Sequence, residues 1–156
     1  MRKLLTSLVA VGLVLGTSAI ANADAAYEKF KKTQMSEFNG DKAPQNCPEK
    51  KLTAKEYGGN QVIYELCAVK GKPIYLRSSI DGVVYSFYSF KAGKLIKNDA
   101  PDAFISIGYR NGQPVVQWDW GNQTVSYKLD PDLKASLRQD SVKIKGILQR
   151  FGIRTL

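Results

Sequence analysis

The chain has 156 residues, of which 23 are Lys or Arg, 14 are Asp or Glu and none is His, so its formal net charge is +9. A hydrophobic content of 44% with 24% charged residues is typical of a globular chain and excludes a disordered one. The lack of His excludes His-containing triads, His-ligated zinc and His-based acid–base catalysis, and two Cys are too few for a Cys-only zinc site.

The first 23 residues have the pattern of a cleaved secretory signal peptide. Arg2 and Lys3 precede an apolar stretch from Leu4 to Gly16, and Ala21-Asn22-Ala23 is a small-x-small cleavage sequence. The apolar stretch is too short to cross a bilayer, and no later segment is apolar enough, so we expect no transmembrane segment after cleavage. We predict a periplasmic or secreted protein whose residues 24–156 form one domain.

Residues 24–60 are expected to hold one amphipathic helix and a loop. Apolar residues spaced three and four apart from Tyr27 to Phe38 predict about three helical turns, with Asn39-Gly40 as the stop. The polar, proline-containing stretch from Asp41 to Asn60 predicts a loop, with a short helix near Thr53–Tyr57.

Cys47 and Cys67 are the only two cysteines, and in an exported chain they are expected to form a disulfide. That bond would tie the loop to the following strand. A reactive thiol is the alternative, but no His is present to activate it.

Residues 61–130 alternate apolar runs with turn dipeptides such as Asp81-Gly82 and Asn111-Gly112, which favour two-residue β-hairpins. Connections this short join antiparallel neighbours. We therefore predict an α+β, mainly β fold, built on an antiparallel meander of about six strands that forms an open sheet or a small barrel. The six runs are Val62–Val69, Pro73–Ile80, Val83–Lys91, Ala103–Arg110, Pro114–Trp120 and Thr124–Leu129.

Residues 61–156 are predicted to comprise this meander and a basic C-terminal segment. Asp130 followed by Pro131 has the pattern of a helix start, and the helix should reach about Arg138. Residues 141–155 satisfy both a strand alternation and a helical spacing, and we favour a second short helix over the sheet.

Aromatic residues concentrate in the meander and are the first candidates for a binding surface. Trp118, Asp119 and Trp120 form the most unusual segment, because alternation places both tryptophans on one face, either buried together or exposed together. Tyr85 and Tyr88 are further candidates. An exposed aromatic strip would stack on sugars or anchor a protein interface, whereas the alternative is that these side chains fill the core.

Basic residues concentrate after residue 133, where six Lys or Arg accompany one Asp. The candidate binding residues are Lys143, Lys145, Arg150 and Arg154. Such a segment could contact an anionic glycan or a lipid headgroup, while nucleic acid is not an expected partner of an exported chain. The alternative is a solvated helix face whose charges keep the protein soluble.

Paired carboxylates can catalyse glycoside hydrolysis without His. The candidates are Glu65, Asp81, Asp99, Asp102 and Asp119, but nothing in the sequence places any two at a working separation. No phosphate-binding loop, metal motif or cofactor motif is present, so no cofactor is expected and an enzyme is disfavoured.

These observations favour an exported, non-enzymatic binding module that occludes an envelope-active enzyme or toxin. In size, export and architecture the chain is similar to small bacterial envelope proteins that block lysozymes or neutralise toxins, although no motif carries that similarity. Removing Arg2 and Lys3 with the signal leaves a net charge of +7, which would repel a basic lysozyme unless the contact patch were locally acidic. An acidic or neutral enzyme is therefore the partner that the sequence favours. The alternative is a binder of an anionic envelope component through the basic tail and the Trp strip.

Overall fold

The computed structural model describes residues 23–55 and 59–154, which form one antiparallel sheet with a helix packed on each face. Of the predicted signal peptide, only residue 23 lies within the described residues. The sheet has eight strands in chain order, so each strand pairs with the next along the chain. The strands are β1 (Glu49–Lys55), β2 (Gln61–Val69), β3 (Lys72–Ile80), β4 (Val83–Lys91), β5 (Lys94–Ala100), β6 (Ile105–Arg110), β7 (Gln113–Asp119) and β8 (Thr124–Ser126).

The predicted antiparallel meander is confirmed, and the sheet is open with β1 and β8 at its edges. Tight turns close four of its hairpins. In Asp81-Gly82, as in the others, both central residues have positive φ (50° and 81°), the geometry whose twist matches that of paired strands. These turns set the register and send successive hairpins to opposite ends of the sheet.

The predicted number of six strands was wrong, because two strands have weak sequence patterns. β1 occupies Glu49–Lys55, where we expected a loop and a short helix near Thr53–Tyr57; residues 56–58 lie outside the described part of the chain. Only Leu52 and Ala54 of β1 pack on the core. β5 carries polar residues along most of its length, and pairing with strands on both sides stabilises it.

The C-terminal segment forms one helix, α2 (Pro131–Arg150), rather than the two short helices predicted. The side chain of Asp130 caps it by accepting the backbone N–H groups of Asp132 and Leu133, as its position predicted. Burial of Ile144 and Leu148 against the sheet selects the helical spacing over the strand alternation.

The N-terminal helix, α1, covers residues 23–33 of the described chain, and a 3-10 turn follows at Met35–Phe38. The expected helix is therefore confirmed as far as residue 33. The chain leaves the 3-10 turn at Asn39 in an extended conformation, as the Asn39-Gly40 pair indicated.

Each face of the sheet has its own apolar core. On one face, α2 packs Ile144 and Leu148 against residues of β2, β3 and β4, including Leu66, Leu76 and Tyr88. On the opposite face, α1 and the 3-10 turn cover the far half of the sheet. Their contacts are Phe30 and Phe38 against Val116 and Trp118 of β7.

The uncovered half of the α1 face carries a row of charged and polar side chains. Glu65 pairs with Arg77 and with Lys51, whose ammonium lies 2.7 Å from its carboxylate. The predicted disulfide is confirmed on this face: Cys47 and Cys67 are bonded with their Cα atoms 5.8 Å apart. Within the described residues, no helix has the length and apolar character needed to cross a membrane.

Candidate functional site

Charge is separated between the two ends of the sheet. We define the basic end by the β2–β3, β4–β5 and β6–β7 turns, which carry Lys70, Lys72, Lys91, Lys94 and Arg110. The acidic end is formed by the β3–β4, β5–β6 and β7–β8 connections, which carry Asp81, Asp102 and Asp119. A meander sends alternate turns to opposite ends, so the turns at the two ends differ in charge sign. The basic end also holds two carboxylates: Asp41 accepts the N–H of Ala92, and Glu37 pairs with Arg110.

The acidic end carries an exposed pair of aromatic rings, Phe104 and Trp120. Their ring centroids are 4.8 Å apart at an interplanar angle of 76°, an edge-to-face contact. Phe104 is 52% exposed and Trp120 is 42% exposed. Two large aromatic side chains in contact at the surface form an apolar patch of the kind found at binding sites.

The backbone around the pair is held in place from both sides. The N–H of Trp120 donates to the carbonyl oxygen of Phe104 at 2.9 Å, which extends the β6–β7 pairing beyond the end of β7. Phe104 itself has a φ of 55°, a left-handed conformation that bulky side chains rarely adopt. A Cβ at Gly121 would lie 3.1 Å from the Cβ of Phe104, so the absence of a side chain permits the close approach.

Asp119 shapes the turn that carries Trp120. Its carboxylate accepts the backbone N–H and the side-chain amide of Asn122, each at 2.7 Å. These bonds, the backbone one first, lower the pKa of Asp119, so it is charged at neutral pH. Its charge therefore serves both the turn and the surface beside Trp120.

The surroundings of the aromatic pair are locally acidic although the whole chain is basic. Residues 111–127 contain no Lys or Arg, and Arg110 lies at the opposite end of β6, paired with Glu37. Asp102 is exposed beside Phe104. One basic residue, Lys55, also lies at this end of the sheet. It is the last residue of the edge strand β1, on the far side of the sheet from β7.

The two tryptophans do not share one environment, which corrects the prediction that they are buried or exposed together. Trp118 is 4% exposed, and its ring lies 5.1 Å from that of Phe30 and 5.7 Å from that of Phe38. β7 ends at Asp119, so Trp120 lies in the turn beyond the area that α1 covers. Trp118 therefore belongs to the core and Trp120 to the surface.

Tyr85 and Tyr88 do not join the exposed aromatic pair. Tyr85 is half-buried and packs against the core under α2. Tyr88 is buried, and its hydroxyl donates to the carboxylate of Asp140 on α2 at 3.2 Å. Burial, with the charge of Asp140, raises the pKa of Tyr88 far above its usual range. Both tyrosines fill the core, which was the alternative considered from the sequence.

The basic residues of the C-terminal segment are exposed but do not form one patch. Successive helical residues are turned by about 100°, so Lys143 and Lys145 lie on opposite flanks of α2. Arg150 lies on the same flank as Lys143, seven residues away, and Arg154 follows the helix. Lys145 alone of these lies beside the basic end, near Gly93 and Gly112.

Three of the five candidate carboxylates, Glu65, Asp99 and Asp119, are engaged in structural contacts. The guanidinium of Arg77, and then the ammonium of Lys51, lower the pKa of Glu65, the opposite of what a general acid requires. Asp99 pairs with Lys97 at 2.9 Å and accepts the hydroxyl of Ser106 at 2.6 Å. Asp81 forms a hairpin turn. Residues 23–55 and 59–154 contain no group of three or more Asp, Glu or Cys arranged to hold a metal ion.

Phe104 was missed by the sequence analysis, which placed it inside a strand. The alternation of Lys-containing and Asp-containing turns along the meander indicated an acidic end, but it did not indicate that Phe104 is exposed there. No protein-family model matches the chain, and comparisons with curated proteins and with solved structures find no significant match either.

Proposed function

We propose that this chain is an exported, non-enzymatic binding module that occludes an envelope-active enzyme or toxin, in the manner of an inhibitor or immunity protein. The observation that supports the proposal is the exposed Phe104–Trp120 pair, held in one geometry by the backbone hydrogen bond between these residues. Preorganised aromatic side chains are the residues that contribute most to protein–protein affinity.

The charges around the pair favour a partner with a basic contact surface. Asp102 and Asp119 flank the two rings, and the nearest stretch of chain, residues 111–127, carries no positive charge. The net charge of +7 predicted for the exported chain would repel a basic enzyme at long range, but the acidic end provides a locally complementary surface. A basic partner is therefore compatible with this chain when it approaches the acidic end.

The alternative, in which the basic tail and both tryptophans bind one anionic ligand, has less support. Trp118 is buried under α1, and Lys143 and Lys145 lie on opposite flanks of α2. These residues do not share a surface on which one ligand could contact all of them.

The test is capture of partners from envelope extract with three forms of the protein as bait, at low and at high salt. We expect wild type and Tyr127→Ala to capture the same partner, and the double variant Phe104→Ala/Trp120→Ala to lose it at both salt concentrations. Tyr127 is the matched control, because it is a similarly exposed aromatic residue (54%) outside the acidic end.

Equal capture by the double variant, with its fold intact by circular dichroism, would remove the aromatic pair from the function. Multiple turnover of any cell-wall polymer by the purified wild type would contradict the non-enzymatic assignment. An identified partner that is inhibited by wild type but not by the double variant would establish occlusion.

A further inference from the structure

A cavity of about 420 Å³ lies between α2 and two turns of the basic end. Turns β4–β5 and β6–β7 form one wall, and α2 forms the other. A cavity of this size is within the range of small-molecule sites.

The cavity combines an apolar floor with positive charge at its margin. The floor is apolar: Leu95 is its partly exposed side chain, and Phe90, Ile144 and Leu148, each 1% exposed, close it from behind as part of the core under α2. Lys94, from the sheet, and Lys145, from the helix, are exposed and approach the cavity from opposite walls. No Asp or Glu is among the lining residues; the nearby carboxylate of Asp41 accepts the backbone N–H of Ala92 in the β4–β5 turn at 2.8 Å.

The positive margin continues over the neighbouring hairpin turns. A second cavity of about 360 Å³ shares Lys94, Leu95 and Asn111 with the first and also contacts Lys91 and Arg110. Glu37 lines this second cavity too, but it is paired with Arg110 at 2.6 Å. The two cavities therefore form a groove with an apolar floor at one end and lysines along its length.

We propose that this groove binds a single-chain anionic amphiphile, with its acyl chain on the apolar floor and its phosphate or carboxylate between Lys94 and Lys145. Charge complementarity selects an anionic headgroup, and the apolar floor selects a molecule with a hydrocarbon chain. A hydrophilic polyanion would use the lysines but leave the partly exposed Leu95 without an apolar partner. This site is separate from the acidic end and does not depend on the proposed occlusion of an enzyme.

Isothermal titration with dodecyl phosphate below its micelle concentration tests the proposal, with inorganic phosphate and heparin as comparison ligands. We expect one saturable site per chain for dodecyl phosphate and no comparable binding of inorganic phosphate. Lys94→Gln/Lys145→Gln should weaken binding by at least about tenfold, because each lysine contributes about one charge contact to the headgroup.

The matched control is Lys32→Gln/Lys55→Gln, which removes the same charge from exposed positions away from the groove and should bind within about twofold of wild type. Backbone amide shifts should concentrate at Gly93 and Gly112, which line the cavity. Leu95→Asn should weaken dodecyl phosphate binding without changing heparin binding.

Three results would overturn the proposal. One is binding of heparin that competes with dodecyl phosphate and is equally reduced by both double variants, which would indicate a general polyanion surface. Another is dodecyl phosphate binding that Lys94→Gln/Lys145→Gln leaves unchanged while that variant remains folded. The third is an absence of saturable binding to the wild-type protein.

Discussion

Phe104 adopts a backbone conformation that residues with a side chain disfavour, and contacts at the surface offset part of the cost. Its left-handed backbone conformation costs about 1–2 kcal/mol for a residue with a side chain. The contact with Trp120 and the hydrogen bond from its N–H offset part of that cost. Strain of this kind, held at an exposed aromatic residue, is typical of functional positions.

Gly108 allows Phe38 to pack directly on the sheet. A Cβ at this position would lie 2.5 Å from Phe38 Cε1 and 2.7 Å from Val116 Cγ1, both buried atoms. We expect Gly108→Ala to lower the free energy of unfolding by about 1–3 kcal/mol, measured by urea denaturation.

Gly146→Ala is the control for that measurement. Gly146 lies inside α2, and nothing would approach a Cβ there within 4 Å. Here alanine should stabilise the protein by about 0.5–1 kcal/mol. A Gly108→Ala protein as stable as wild type would show that Phe38 can move away.

Two buried tyrosines under α2 differ in their hydrogen bonds. Tyr88 donates to Asp140, whereas no protein group in the described residues partners the buried hydroxyl of Tyr109. Tyr88→Phe should therefore destabilise by about 1–2 kcal/mol, while Tyr109→Phe should be neutral or slightly stabilising. Thermal unfolding of both variants measures the difference, and a larger loss for Tyr109→Phe would contradict it.

Glu65 should contribute to the pH dependence of stability. Its pKa is lowered in the folded protein, so its stabilising contribution is present above its unfolded pKa of about 4.3 and is lost as pH falls through the lower folded value. We expect the difference in Tm between wild type and Glu65→Gln to be largest near neutral pH and to shrink in acid. Glu28→Gln, which alters an exposed pair with Lys31, is the control. A difference independent of pH would show that the carboxylate charge contributes nothing.

At the scale of elements, the disulfide connects the segment that precedes β1 to the buried part of β2. Cys67 is fully buried, and the bond closes a loop of 20 residues in sequence separation. Reduction, or Cys47→Ser/Cys67→Ser, should lower the free energy of unfolding by about 3 kcal/mol, measured by denaturation with and without reductant.

Because β1 is an edge strand with few apolar residues, its amides should lose hydrogen-exchange protection first after the disulfide is reduced. Unchanged protection of β1 after reduction would show that pairing with β2 alone holds this strand.

Helix α2 illustrates how packing extends an element beyond its local signals. We expected the first helix to end at about Arg138 and a second short helix to follow within residues 141–155, yet one helix runs continuously to Arg150. The buried residues of α2 lie in its second half, where Ser141, Ile144 and Leu148 face the sheet. Tertiary contacts therefore outweigh the weak helix preference of individual residues.

For the whole molecule, the central feature is that one sheet carries two cores on opposite faces. Denaturation followed by Trp fluorescence reports mainly on the α1 core through Trp118, while circular dichroism reports on the whole sheet. We expect the two transitions to coincide, because the strands under both helices belong to one continuous hydrogen-bonded ladder.

The same expectation predicts the effect of a distant substitution. Leu148→Ala, on the α2 face, should lower the free energy of unfolding measured by Trp fluorescence by about 2–5 kcal/mol. Leu148 does not belong to the Trp118 cluster, so this effect would be transmitted through the sheet. A fluorescence transition that does not respond would show that the two cores unfold independently.

The opposite charges of the two ends would also orient the protein in the field of a charged partner. An anionic surface attracts the lysine-bearing turns, which directs Phe104 and Trp120 away from it. The two proposed sites are therefore compatible with simultaneous occupancy.

The antiparallel order of the meander, the disulfide and the helix start at Asp130 could all be predicted from the sequence, since each depends on residues close in the chain or on the only available partner. The sequence did not determine β1, the length of α2, or which aromatic residues reach the surface. Those outcomes depend on what covers each face: α1 buries Trp118, and the end of β7 leaves Trp120 beside Phe104. Burial is a property of contacts between distant segments, so only the tertiary structure could separate two tryptophans that stand two positions apart.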